Sequence, residues 1–282
     1  MTEIEALKHR LEGHLEQVAR PRDPDWSPLG HRQVEQYLQE QLCCWGSPEE
    51  FRFEYVRRAY TNWILKLPGR DPHREPILIG AHFDAVPESP GADDNASGVA
   101  VLLELARHFA QEPPRSPLWL VAFDLEERGM VGSTAYAQAL KRQGQPLRLM
   151  LSLEMVGYRD PTPGSQRYPA GLERFYPDRG DYIGLIGNWP TLPDLLRLQR
   201  AMNKTGIPCQ WLPAGQKGWI VPSTRRSDHA PFWDEGYRAI LVTDTADLRN
   251  PHYHRLSDSL ETLDRDFLAG VCQGLMAGIR HL

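Results

Sequence analysis

Acids and histidines recur in this sequence just past its apolar runs. His82 and Asp84 follow the run at 76–82, with Asp93 and Asp94 in the loop beyond. Glu126 and Glu127 follow 117–125, Glu154 follows 147–153, and His252 and His254 lie in the loop after 237–243. One acid at the end of a strand means little. Several strand ends that carry only His, Asp and Glu imply cations or strong pairing, because buried unpaired carboxylates are expensive. Histidine with carboxylate is the donor set of catalytic zinc, with bonds of about 2.0–2.2 Å. Two metals about 3.5–4 Å apart would need a bridging carboxylate. Two Zn²⁺ against three carboxylates and one hydroxide come to neutral.

The elements that must position these groups follow from periodicity. Residues 3–19 and 30–44 read as amphipathic helices, with Val34, Tyr37, Leu38 and Leu42 at helical spacing. Glu50–Arg57 and Thr61–Leu67 alternate and read as antiparallel strands. Runs 76–82, 117–126 and 147–154 read as buried strands, and 96–110 and 131–143 as the helices between them. After a Pro-, Gly-, Arg- and Asp-rich loop at 158–181 come strand 182–187, helix 191–203, an irregular stretch to about 226, strand 237–243 and helix 260–280. A loop as long as 158–181 is usually functional or disordered. Strands alternating with helices predict an α/β fold: three α/β/α layers around a mixed, mostly parallel sheet with helices on both faces. In such sheets, sites form beyond the carboxyl ends of the strands. No linker divides the chain, so the expectation is one domain over 1–282, with the helices of 1–48 packing on it.

Composition narrows the function classes. The 282 residues, 41% hydrophobic and 24% charged, suit a globular protein. The net charge of −5 and the absence of a basic run argue against nucleic acid as a partner. The polar N-terminal stretch lacks a signal-peptide core, and no run approaches the roughly 20 apolar residues of a membrane span. Cys43, Cys44, Cys209 and Cys272 form no CxxC pattern. The expectation is a cytoplasmic protein with no membrane partner.

Six blocks then resemble one family. They are AHFD at 81–84, PGADDNASG at 90–98, FDLEERGMVGS at 123–133, SLEMVGY at 152–158, SDHAPF at 227–232 and NPHYHRLSDSL at 250–260. In this order they are similar to the dinuclear zinc aminopeptidases, a peptidase family that also holds glutamate carboxypeptidase, the glutaminyl cyclases and the transferrin receptor ectodomain. The resemblance runs from about residue 60 to 282. It implies the zinc-peptidase fold and two Zn²⁺, with Co²⁺ or Mn²⁺ as possible substitutes. It further implies that His82 and Glu154 bind one ion, that Glu127 and His254 bind the other, and that Asp94 bridges both, with a cis peptide bond after it. Asp84 would fix the tautomer of His82. Glu126 would be the general base that takes the proton from the bridging water, leaving a zinc-bridging hydroxide to cleave N-terminal peptide bonds. The implied partner is a peptide or small amide with a free N-terminus.

Other readings stand beside these. GADDNASG also suits a turn capped by Asn95 or Ser97, and Glu126–Glu127 a solvated helix start. Asp93 reads as support or surface, and His252 as support or a substrate contact. Asp228, His229, Arg226 and Tyr253 are candidate substrate residues. Arg225 and Arg226 precede SDH where the relatives place oxyanion contacts, and no tyrosine stands there. Trp189, Trp219, Phe232, Trp233 and Tyr237 read as core or as lining of a specificity pocket. His9, His14, His31, His73, His108 and His281 read as surface histidines. A glutaminyl cyclase-like acyltransferase with one zinc is the alternative activity, though those enzymes carry Trp where this chain has Tyr253. A non-enzymatic relative is the third reading.

Overall fold

Four apolar runs become neighbouring parallel strands: β3 (Ile77–His82), β4 (Leu118–Phe123), β5 (Leu149–Glu154) and β8 (Ala239–Thr243). Their near-continuous Val, Ile and Leu suit strands covered on both faces. The structure is a computed structural model that describes residues 2–282. β1 (Glu49–Tyr55), β2 (Arg58–Leu67), β6 (Ile183–Gly187) and β7 (Cys209–Pro213) complete an eight-stranded sheet of order β1-β2-β4-β3-β5-β8-β6-β7. β1/β2, β2/β4 and β6/β8 run antiparallel, and β6/β7 parallel.

Helices cover both faces, as the alternation predicts. α1 (Glu3–Val18), α3 (Gly98–Gln111), α5 (Leu192–Lys204) and α7 (Arg265–Ile279) share one core, and α4 (Val131–Arg142) and α6 (His229–Asp234) share the other. α1 turns Leu7, Leu11, Leu15 and Val18 inward at helical spacing. α2 (Pro28–Cys43) buries His31, Val34, Leu38 and Leu42. Among the described residues, no helix is long and apolar enough to cross a membrane.

Three expectations shift. The irregular stretch before 226 contains strand β7, which pairs on one side only and ends in proline, so its five residues carry no alternation signal. The last helix begins at Arg265 rather than 260, because Asp264 accepts the Phe267 N–H at 2.9 Å and caps it there. The first strand stops at Tyr55, and Val56 and Arg57 form the turn with φ of 47° and 63°.

The sheet edge bearing the amino ends of β5 and β8 is tied by charge. Asp194 of α5 is fully buried and takes a two-pronged contact from Arg148, at 2.6 and 3.0 Å, plus contacts from Arg197 and Arg238. Burial alone would raise the Asp194 pKa, but these guanidiniums hold it below the ordinary value.

Candidate metal centre

Because β3, β4, β5 and β8 run parallel, their carboxyl ends bring the acidic segments to one edge. His82 and Glu154 are the last residues of β3 and β5. Glu126 and Glu127 follow β4 after Leu125, which turns the chain with φ 58°. Asp94 lies in the 92–97 turn before α3, and the Asp94–Asn95 peptide bond is cis. His254 sits at φ 58° in the loop after β8. Non-glycine residues in this left-handed region collect at sites that over-determine their backbone.

The donors divide into two sets that share one residue. Nε2 of His82 lies 3.3 Å from Oδ1 of Asp94 and 3.4 Å from Oε2 of Glu154. Nε2 of His254 lies 3.2 Å from Oδ2 of Asp94 and 3.3 Å from Oε2 of Glu127. These separations exceed the roughly 2.7–2.9 Å of a charge-assisted hydrogen bond. They match the edge of a tetrahedron around an ion with bonds of about 2.0–2.1 Å, which is about 3.3–3.4 Å. Donor atoms of His82, Asp94 and Glu127 all lie within 4.8 Å of one another. Buried Oε1 of Glu127 has no hydrogen-bond partner among the described residues. The donor set therefore fits metal binding.

Neighbouring groups fix the donors. Asp84 accepts the backbone N–H of Glu126 at 3.0 Å and of Glu127 at 3.1 Å, and its Oδ1 lies 3.4 Å from Nδ1 of His82. Asp258 accepts the N–H groups of Asp93 and Asp94 at 2.9 and 3.1 Å. Asp93 is buried and faces away from the donors, accepting from Gly157 N–H and the Asn250 amide at 2.9 and 2.8 Å. Asn95 accepts Gly98 N–H at 3.1 Å, so the capping reading of this turn also holds. Ser227, the first residue of the SDHAPF block and given no role there, donates to Oε2 of Glu154 at 2.7 Å.

Burial and concentrated charge shift Glu126, Glu127, Asp94 and His254. Burial, with the charges of Glu154, Asp228 and Glu127, pushes the Glu126 carboxyl well above the ordinary carboxylate range, against the pull of His82. Burial and the Asp94 charge raise Glu127 to about 7. Burial would raise Asp94 too, but His254 and His82 hold it well below its usual value. Burial would lower His254, but Asp94 and Glu127 lift it to about 10.

The remaining candidates are scattered. Asp228 is buried near Glu126 and raised by burial to about 7. His229 packs in the second core, its Nε2 bonded to the Thr224 carbonyl at 2.7 Å, and burial lowers it to about 3. Arg226 pairs with Asp247 at 2.8 Å and donates to the Tyr253 hydroxyl at 3.1 Å, and Tyr253 stacks on His254. His252 bonds Ser257 at 2.9 Å, outside the donor group. Glu154 and Tyr253 also stand at the edge of a cavity of about 230 Å³. Its aromatic lining is Tyr168, Tyr176, Tyr182, Trp211 and Tyr253, none of them from the expected set: Trp189 and Trp219 are exposed, Phe232 and Trp233 are core, and Tyr237 packs against that core. Loop 158–181 thus supplies part of a wall beside the site. His31, expected at the surface, is buried and bonds Asp124 at 2.9 Å, and His14 bonds Tyr37 at 2.7 Å.

Residues 62–183 match Peptidase family M28. The chain carries an M28 peptidase domain. Over 214 residues it is 38% identical to the uncharacterized protein YfbL of Escherichia coli (strain K12), across 71% of this chain and 65% of that protein. Among solved structures it is similar to BSAP, a zinc aminopeptidase from Bacillus subtilis, at 25% identity and TM-score 0.59, over 80% of this chain and 51% of that one. It shares its fold with LapA of Legionella pneumophila at TM-score 0.74 and 20% identity, over 100% of this chain and 76% of that one. The curated relatives are longer, and this M28 chain spans less than two thirds of their length.

Proposed function

We propose that this M28 chain is an aminopeptidase that removes N-terminal residues at a two-zinc centre with Glu126 as general base. The observation that carries the reading is the split of Asp94: its two oxygens face different histidines, each accompanied by its own glutamate. On this reading His82 and Glu154 hold one ion, Glu127 and His254 the other, and Asp94 both. When bound, the zinc pair supplies Lewis acidity and brings the pKa of water to about 7.

The chain's own residues do the rest. Glu126 takes the proton of the attacking water and passes it to the leaving amine, serving as base and then as acid. Asp84 orients His82 and the turn that carries Glu126. Glu154 is both a donor and part of the cavity lining, so a substrate amine held by Glu126 and Glu154 would direct its side chain among Leu172, Ile186, Leu212 and Trp211. At about 230 Å³ the cavity is smaller than the roughly 300–1,000 Å³ of pockets for drug-sized ligands, and suits one bulky apolar side chain.

The test is hydrolysis of leucyl and phenylalanyl anilides by protein stripped with a chelator and reloaded with zinc. The expected result is loss on stripping, recovery on reloading and no cleavage of the N-acetylated anilide. Zinc-loaded protein inactive on every free-amine peptide would sink the substrate claim.

A further inference from the structure

Arg22 lies in the turn between α1 and α2, outside residues 62–183. It is fully buried, yet its guanidinium meets only backbone carbonyls. Nε donates to Phe83 at 2.7 Å. Nη1 reaches Pro90 at 2.5 Å and Val18 and Arg20 at 3.2 Å each. Nη2 donates to Gly91 at 2.9 Å and to Asp94 at 3.1 Å. Phe83 lies between His82 and Asp84, and 90–94 is the segment ending at the shared aspartate. The fit is tight: a Cβ added at Gly91 would stand 2.8 and 2.9 Å from Nη2 and Nη1.

The opposite side of this segment is held by opposite charge. Asp258 takes the N–H groups of Asp93 and Asp94, while Arg22 takes the carbonyls of Gly91 and Asp94. Burial pulls the guanidinium below its ordinary value, and Asp94, Asp258, Asp84 and Glu127 push it back. A desolvated cation is retained only where surrounding dipoles and charges compensate it. Here two of the compensating acids, Asp94 and Glu127, belong to the donor cluster, and the other two, Asp84 and Asp258, hold it in place. The planar fork suits many carbonyls at once, where a lysine offers one point charge with three donors.

We propose that Arg22 is a positioning residue that sets the carboxylate of Asp94 between its two histidines and thereby governs metal affinity at both halves of the centre. The proposal rests on the metal-site reading above. The N-terminal helices then take part in the site itself, rather than only packing beside it.

The test titrates chelator-stripped protein with zinc alone, in competition with a chromogenic chelator. Arg22→Gln is compared with wild type and with Asp194→Asn, which weakens the fold at the opposite sheet edge. The expected result is a loss of about 10–100-fold in zinc affinity for Arg22→Gln, affecting both ions, with wild-type affinity in Asp194→Asn. Arg22→Lys keeps the charge but not the carbonyl contacts, and should also bind weakly. It decides the matter should Arg22→Gln fail to fold. Wild-type affinity in either Arg22 variant, or an equal loss in Asp194→Asn, overturns the proposal. Wild-type protein that binds no zinc refutes the reading of the centre instead, so the two failures are distinguishable.

Discussion

Ser227 donates its hydroxyl to Oε2 of Glu154 across 2.7 Å, the oxygen that also lies 3.4 Å from Nε2 of His82. Ser227 Oγ is itself 3.2 Å from that of Ser152 on β5. This contact leaves Glu154 one preferred orientation. Ser227→Ala is expected to lower zinc affinity by about 10-fold, with the loss concentrated in one of the two ions. Stepwise zinc titration checks it: equal weakening of both ions contradicts the assignment of Glu154 to one.

Asp84 touches both halves of the machinery, His82 through its ring and Glu126 and Glu127 through their N–H groups. Asp84→Asn keeps the shape but loses the charge and puts an N–H₂ where an acceptor is needed. A fall in kcat/KM of about 10–100-fold is expected, with circular dichroism unchanged. Wild-type kcat/KM would remove Asp84 from the mechanism.

The cavity beside Glu154 predicts selectivity. Leucyl and phenylalanyl anilides should exceed the aspartyl anilide in kcat/KM, since Leu172, Ile186 and Leu212 offer a carboxylate no partner and Arg226 in the lining is already paired with Asp247 at 2.8 Å. Ile186→Phe narrows the space and should reduce the phenylalanyl rate by about 10-fold or more, with less effect on alanyl substrate. A variant with unchanged ranking would place the side-chain pocket elsewhere.

Asp194 governs stability rather than chemistry. Asp194→Ala leaves Arg148 and Arg238 without their carboxylate and should cost about 3 kcal/mol, a Tm fall on the order of 10 °C, with zinc affinity retained. The sign with pH follows from the lowered pKa. The carboxylate stabilises the fold above its unfolded value near 3.8, and that contribution is lost as pH falls through the lower folded value. The stability gap between wild type and Asp194→Asn should therefore be full near neutral pH and narrow in acid, as denaturant titrations at several pH values would show.

Strand ends were legible because chemistry and burial coincide there. His82 and Glu154 close apolar runs, so their types stood out. Asp94 and Asp93 were separated by resemblance alone, since adjacent aspartates in one turn look alike, and only the fold shows one facing the donors and the other facing Gly157 and Asn250. Arg22 gave no signal: a lone arginine in a polar turn reads as solvated, and its acceptors in the site, the carbonyls of Phe83, Pro90, Gly91 and Asp94, lie 61 to 72 residues away. His31 was hidden likewise, its partner Asp124 lying 93 residues on. The pocket aromatics escaped because Tyr168 and Tyr176 sit in a loop without period, where tertiary structure alone brings them to Tyr182 and Trp211.

The most direct test of the central claim is metal content per chain, measured by atomic emission on wild type and Glu126→Gln purified in zinc. The account predicts two zinc ions per chain in both proteins, because Asp94 has one oxygen for each half and Glu126 ligates neither. One ion per chain in wild type, or loss of zinc in Glu126→Gln, would contradict it.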